Sequence, residues 1–137
     1  AYANLAPSES FAVLGTPAAA FGTAAVGAAK PVAVTGYLPP TANYTVAQPA
    51  GLAADVTARP LTLAGAFTAA DKVYDGTAAA TVAGHTLALS GVVNGDAVTL
   101  GAVSAAFATP AVGAGKTVTL TGGTLAGAAA GNYTLSV

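Results

Sequence analysis

Short runs of alternating apolar and polar residues, separated by glycine and proline, make up most of the chain. The clearest run covers residues 117–121, where threonine alternates with valine and leucine, as in a half-buried strand. Residues 31–35, 61–63 and 98–100 have a similar pattern. Turn residues recur about every 8–12 positions, the spacing typical of all-β proteins. The pattern therefore predicts an all-β fold.

Less regular runs add further strands to this prediction. Pro31 is expected at the first position of its strand, where no ladder donor is required. Alanine-rich residues 18–25 are too interrupted by glycine for a stable helix, so we predict a strand around Phe21. Residues 125–130 fit either one helical turn or a loop. The remaining predicted strands are residues 11–14, 43–46, 55–57, 72–74, 80–83, 86–89 and 132–137.

Two turn motifs divide the second half of the chain. Asp75-Gly76 follows the predicted strand 72–74, and Asn94-Gly95-Asp96 lies between residues 92–93 and 98–100. Asp-Gly and Asn-Gly favour tight turns because glycine accepts positive φ. We predict a type-I′ hairpin at the second motif.

The expected architecture is a pair of small antiparallel β modules in tandem, immunoglobulin-like or sandwich-like in layout. A β-grasp-like variant with one short helix at residues 125–130 is the alternative. The predicted core consists of Phe11, Val13, Phe21, Val32, Val34, Tyr44, Leu61, Leu63, Val73, Val82, Leu87, Leu89, Val98, Leu100, Phe107, Val118, Leu120 and Leu135.

An internal repeat supports the tandem arrangement. Residues 21–30 align with residues 107–116 at an offset of 107 − 21 = 86. The later motif Asn43-Tyr44 aligns with Asn132-Tyr133 at an offset of 132 − 43 = 89. We interpret residues 60–137 as a complete module and residues 1–59 as the rear part of another, without its opening strands.

Composition excludes several functions. Charged residues make up 7% of the chain and the net charge is −1, against about 25% charged residues in an ordinary domain. Nucleic acid is therefore not expected as a partner. The chain has no cysteine, and the uncharged stretch 10–29 contains too much glycine and alanine for a membrane span. Without an initiator methionine or signal peptide, we expect a piece of a larger protein.

Candidate chemistry is sparse. His85 is the only histidine, so a zinc site is not expected, and we predict an exposed loop residue. Asp71, Asp75 and Asp96 do not form a dense calcium loop, and turn-forming roles are favoured. Lysines and asparagines that recur between the repeats leave a Lys–Asn crosslink as a minor alternative. No catalytic, metal or cofactor residues are predicted, and tyrosines are expected at the core rim with bonded hydroxyls.

Four motifs, in order and at this spacing, resemble the YDG repeat modules of filamentous-haemagglutinin-like secreted bacterial adhesins. They lie within residues 70–77, 89–96, 112–118 and 131–135. The motif residues expected to be structural are Tyr74, Asp75, Gly76, Asn94, Gly95, Asp96, Gly131, Asn132 and Tyr133.

The resemblance implies a non-enzymatic, extracellular stalk or fibre segment on the outer surface of a Gram-negative bacterium. Adjacent modules or identical chains are the expected partners, and a host or surface ligand is not identified. Two alternatives stay open. The chain is a filament subunit completed by strand exchange with a neighbour, or it is a glycan- or ice-binding module carrying a wide row of threonine or tyrosine.

Overall fold

The computed structural model describes residues 6–7, 9–93 and 95–137. The chain divides into two compact units, Ala1–Val56 and Thr57–Val137. Within the described residues, eleven β-strands and one 3-10 turn make up the regular structure. The prediction of an all-β fold built from small antiparallel sheets is confirmed. No helix in these ranges is both long enough and apolar enough to cross a bilayer.

Unit 1 contains one antiparallel sheet in the order β1-β2-β3. The strand predicted around Phe21 is present, and Phe21 faces Val32 in the adjoining strand. Pro31 does not begin its strand as predicted. Four residues precede it in β2, and the register shifts between Gly27 and Lys30, an irregularity that accommodates a residue without a ladder donor. The strands are β1 (Ala18–Phe21), β2 (Gly27–Thr35) and β3 (Ala53–Val56).

Two predicted strands of unit 1 are not formed. Residues 11–13 belong to no strand, and Leu14 makes only an isolated bridge with Leu38. Residues 44–50 are irregular. Their counterpart in unit 2 is a strand because it pairs with a second strand, and the described part of unit 1 offers no such pairing to residues 44–46. An alternating sequence pattern shows that a segment can form a strand, but it does not show whether a second strand is available to pair with it.

Unit 2 contains three small sheets. Their strand orders are β11-β4-β8, β10-β9-β6 and β5-β7. The long hairpin of β9 and β10 has two register shifts near Gly122 and Gly123, which bend the pair as bulges do. The strands are β4 (Arg59–Ala64), β5 (Phe67–Ala69), β6 (Ala79–Ala80), β7 (Val82–His85), β8 (Ala88–Ser90), β9 (Thr99–Phe107), β10 (Val118–Ala126) and β11 (Tyr133–Ser136).

The first and last strands of unit 2 are direct neighbours and run parallel. Arg59 faces Tyr133, and Thr62 faces Ser136. A parallel pair cannot be closed by a tight turn, and here the rest of unit 2 lies between the two strands in sequence. This pair is the exception to the antiparallel layout that the sequence predicted.

Three local predictions for unit 2 are wrong. Residues 72–74 form no strand, because a closed loop described below holds them away from any ladder. The motif 94–96 does not join a hairpin, since β8 pairs with β4 and β9 with β10. Residues 125–126 belong to β10, and the only helical turn within the described ranges is the 3-10 segment Ala130–Asn132. The β-grasp-like alternative thus lacks its helix.

Little of the side-chain surface is fully enclosed. Leu61 is the one predicted core residue that is buried, and it has no exposed surface. Ala105 and Tyr133 are the other buried hydrophobic residues among those described. Most other predicted core residues are half-buried. Val13, Phe21 and Val73 are exposed, contrary to prediction. Sheets of two or three strands cover only one face each, so a complete core does not form.

Leu61 is the residue on which unit 2 depends most for apolar packing. We expect Leu61→Ala to lower the free energy of unfolding by about 2–5 kcal/mol, because it removes a fully enclosed side chain and leaves a cavity. Urea denaturation followed by tyrosine fluorescence measures the loss. Leu63→Ala, at a half-buried position of the same strand, is the matched control and should cost clearly less. Equal losses would contradict this view of the core.

Candidate functional site

The loop that carries Tyr74, Asp75 and Gly76 is closed by a lysine. Lys72 Nζ lies 2.7 Å from Asp75 Oδ1 and donates to the backbone carbonyls of Thr77 at 2.9 Å and Ala79 at 3.1 Å. Asp75 Oδ1 also accepts from the Thr77 backbone N–H and hydroxyl, both at 2.9 Å. Gly76 has φ +79, the left-handed conformation that the Asp-Gly motif predicts. This set of contacts is called the YDG loop below.

The hydrogen bonds within the YDG loop stabilise the ionised form of Asp75. The bond from Lys72 is the largest cause, followed by the two bonds from Thr77, and together they lower the pKa of Asp75 from 3.8 to about 2. Bonds to a carboxylate favour its charged form. The carboxylate therefore serves as an acceptor that closes the loop, and not as a proton donor near neutral pH.

Closure of the YDG loop turns two apolar side chains outward. Val73 is 90% exposed and Tyr74 is 64% exposed. They line a groove of about 560 Å³ whose opposite wall is the turn 109–116. Val112 on that wall is 88% exposed. The groove is lined by both apolar and polar side chains, and the charged residues on it are Asp71, Lys72 and Lys116.

Two further lysines close turns in the same manner, one in each unit. Lys116 Nζ donates to the Thr109 carbonyl at 2.5 Å, to the Thr109 hydroxyl at 2.8 Å and to the Ala111 carbonyl. Lys30 Nζ donates to the Thr23 carbonyl at 2.6 Å, to its hydroxyl at 2.9 Å and to the Ala25 carbonyl. The sequence indicated that these lysines recur, but it did not reveal that each one fastens the turn seven residues before it.

A tyrosine–carboxylate bond also recurs. The Tyr133 hydroxyl donates to Asp96 Oδ2 at 2.5 Å and accepts from the Val93 N–H at 3.1 Å. The bond to Asp96 is the main cause of a raised Tyr133 pKa, because it stabilises the neutral phenol. This arrangement agrees with the prediction of a core-rim tyrosine with a bonded hydroxyl for Tyr133. The same prediction for Tyr74 is wrong, because Tyr74 is largely exposed.

Unit 1 contains the same arrangement around Tyr44. Its hydroxyl donates to Glu9 and accepts from the Ala6 N–H at 3.4 Å, and the bond to Glu9 raises the Tyr44 pKa. The sequence offered Glu9 as the first unit's only counterpart of Asp96, although in a poorly matched region, because 96 − 9 = 87 lies between the two repeat offsets and the residue type differs. The sequence did not reveal that each carboxylate accepts from a tyrosine hydroxyl.

The other residues proposed from the motifs occupy turns. Gly95 has φ +91, and the Asp96 N–H donates to the Val93 carbonyl at 3.1 Å. Gly131 and Asn132 lie in the 3-10 turn before β11. Asn94 lies outside the described residues. The eight motif residues that the structure describes thus separate into the YDG loop and the region around Tyr133, and they do not form one site.

The remaining candidate chemistry is not brought together. His85 is exposed at the end of β7, opposite Phe67. Across the described ranges, no group of three or more histidine, aspartate or glutamate side chains is arranged to hold a metal ion. Lys116 and Asp96, two of the groups that a Lys–Asn crosslink requires, bond to other partners. These polar side chains therefore stabilise the turns and loops of their own unit.

The fold and these contacts define a class: an all-β chain whose polar side chains close its own turns. The YDG domain family model matches residues 57–137, which is more than half of the chain. The chain therefore belongs to the YDG domain family. No curated protein and no solved structure matches the chain.

This match corrects the resemblance inferred from the sequence motifs. What matches is the YDG domain, a name that is also carried by the SRA/YDG domains, and not a repeat of filamentous-haemagglutinin-like adhesins. The motifs predicted a YDG module, but the adhesin class was attached to it by resemblance alone, and that assignment is wrong.

The Asp75 pKa tests the closed YDG loop. An NMR titration of the side-chain carboxyl should give a midpoint of about 2, and Lys72→Met should move it toward 3.8. Because the folded-state pKa is depressed, the loop's contribution to stability is present above 3.8 and is lost as the pH falls toward 2. Asp75→Asn should remove that part of the pH dependence. A wild-type midpoint near 3.8 would contradict the bonded loop.

Proposed function

We propose that the chain is a non-catalytic structural segment of an extracellular stalk or fibre that keeps its shape under tension along the chain. The parallel ladder between β4 and β11 is the observation that carries this proposal. Four residue pairs join the first and last strands of unit 2, from Arg59–Tyr133 to Thr62–Ser136.

Strand direction determines how tension acts on that ladder. Force on the chain before Arg59 pulls β4 toward its own beginning, and force after Ser136 pulls β11 toward its own end. Because the strands are parallel, these two forces slide one strand along the other. The ladder bonds are then strained together. An antiparallel pair pulled from one common end opens bond by bond, which needs less force.

The polar side chains support the same role. Lys30, Lys72 and Lys116 all donate to carbonyl oxygens within their own turns. Tyr44 and Tyr133 donate to carboxylates of their own units. Groups that serve catalysis are usually left accessible with perturbed pKa values in a cleft. Here the groups with the most distinctive chemistry fasten the fold instead.

Single-molecule pulling tests the mechanical role. The chain has no cysteine, so two engineered thiols provide the only attachment points. Attachment at Thr57→Cys and Val137→Cys shears the β4–β11 ladder, and we expect a high rupture force, since forced unfolding is governed by the unfolding barrier. Attachment at Ala64→Cys and Ala88→Cys loads one facing pair of the antiparallel β4–β8 ladder, and we expect a lower force.

The comparison uses the same folded unit, so differences in stability do not enter. Equal rupture forces for the two attachment geometries would overturn the proposal, as would extension of unit 2 without a resolved force peak in the shearing geometry.

The family name raises a second candidate, because SRA/YDG domains typically bind methylated DNA. Such binding draws on cationic side chains that neutralise phosphates. This chain has four basic residues and a net charge of −1, and its three lysines already donate to its own carbonyls. Arg59 is the only other cation. These charges favour a partner other than nucleic acid.

A binding assay separates the two candidates. We expect no shift in fluorescence anisotropy when the chain is added to labelled duplex DNA, with or without methylated cytosine, at low salt where phosphate contacts are strongest. Saturable binding that weakens as salt is added would overturn the structural proposal in favour of the DNA-binding one. The Lys116→Met variant shows whether any binding uses a lysine that the turn already occupies.

The alternative of a glycan- or ice-binding face depends on a wide threonine row. Thr119 on β10 faces Ala106 on β9, and Ala106 faces Ala79 on β6. The row across this described sheet is thus one threonine and two alanines. Strand exchange with a neighbouring chain, the other alternative, needs an open sheet edge, and β10 lies at the edge of its sheet in unit 2.

A further inference from the structure

The two units contain the same hairpin. Phe21 faces Val32 in unit 1, and Phe107 faces Val118 in unit 2, both at the offset of 86. The turn between the strands is also the same. Ala29 has φ +48 and its counterpart Gly115 has φ +63, each directly before the lysine that fastens the turn. One hairpin can therefore be used to interpret the other.

In unit 1 the outer side of this hairpin is occupied by β3. The Val32 N–H donates to the Leu52 carbonyl at 2.9 Å, and the Ala29 N–H donates to Asp55 Oδ1 at 2.7 Å. The next residue, Val56, faces Gly27. The occupying strand thus offers a carbonyl, a carboxylate three residues later and then an apolar side chain.

In unit 2 the same side of the hairpin is open. β9 lies between β10 and β6, so β10 is at the edge of its sheet, and no strand in the described ranges pairs with its outer side. The Phe107 N–H donates to the Ala78 carbonyl, away from β10. Its facing residue Val118 therefore directs its own N–H outward. Val118 and Gly115 form what we call the open edge.

An apolar side chain beside the open edge is left uncovered. Val26 in unit 1 is 37% exposed, whereas its counterpart Val112 in unit 2 is 88% exposed. Val26 lies next to Gly27, which faces Val56 of β3. Val112 also forms part of the wall of the groove described above. Among the described residues, the difference in exposure accompanies a strand on the outer side of β2 in unit 1 and none on the outer side of β10 in unit 2.

We propose that the open edge of unit 2 binds an extended strand with the chemistry of residues 52–56. Such a strand lies antiparallel to β10. Its first carbonyl accepts from the Val118 N–H, an aspartate three residues later accepts from the Gly115 N–H, and the following valine or similar residue covers Val112. This is strand addition at a sheet edge, with the aspartate and the apolar residue setting specificity. The inference rests on the proposed structural role and names the partner that continues the fibre.

A peptide of residues 50–58 is the probe, labelled with a fluorophore and added to the full chain. We expect saturable 1:1 binding, and ¹⁵N NMR should show the largest shifts at the Gly115 and Val118 amides. A peptide with alanine in place of the residue at position 55 should bind about tenfold more weakly, because it loses a charge-assisted bond.

Two variants of the chain locate the site. Val118→Pro removes the outward N–H at an edge position where proline is tolerated, and it should abolish binding. Gly115→Ala keeps its N–H and reproduces Ala29, so it should retain binding. If Val118→Pro fails to fold, the NMR shifts in the unmodified chain decide the site.

Absence of binding at millimolar peptide would overturn the proposal, as would shifts confined to Ala29 and Val32 in unit 1. Sedimentation without peptide distinguishes a second copy of the chain as occupant: a dimer that Val118→Pro converts to monomer would overturn the proposal of a separate strand. None of these results bears on the shearing experiment. If the peptide does not bind, the proposed mechanical role is unaffected, and if the shearing geometry shows no high rupture force, the peptide result at the open edge is unaffected.

Discussion

Backbone hydrogen bonding is the interaction on which this structure depends, because the side chains supply so little core. Only Leu61, Ala105 and Tyr133 are buried among the described hydrophobic residues. Alanine and glycine are abundant in the sequence and bury little apolar area per residue. Short ladders, together with lysine and tyrosine contacts that close the turns, provide the order that a larger core provides elsewhere.

The closing contacts follow one physical rule in both units. A lysine ammonium satisfies carbonyl oxygens that a tight turn leaves without ladder partners. Charge-assisted donors are stronger than neutral ones, so one lysine holds several carbonyls at once. The hydrogen bonds from Tyr44 to Glu9 and from Tyr133 to Asp96 are a second stabilising contact, one in each unit. Both devices recur at corresponding positions of unit 1 and the rear of unit 2, although the strand pairing around them differs.

Residues 31–35 and 118–121 were predictable as strands, because alternation is a local signal. The extension of β2 back to Gly27 and of β10 on to Ala126 was not, because Pro31 and Gly122-Gly123 resemble strand boundaries and the pairing that carries the strands past them is not local. The parallel ladder of β4 and β11 was not, since pairing between residues more than seventy positions apart leaves no local trace. The burial of Ala105 could not be predicted, because alanine is abundant along the whole chain and its presence does not distinguish buried from exposed positions. Tyr74 was expected in a strand, but Lys72 and Asp75 close the loop and turn it outward. The bonds from Tyr44 to Glu9 and from Tyr133 to Asp96 were not predictable, because each joins residues more than thirty positions apart.

The tethered lysines also determine how the module responds to its surroundings. Charged residues make up 7% of the chain and the three lysines are held within their own turns, so dissolved ions have few charges to screen. Cohesion between such modules, made through neutral surfaces and strand edges, would then change little between dilute and saline water.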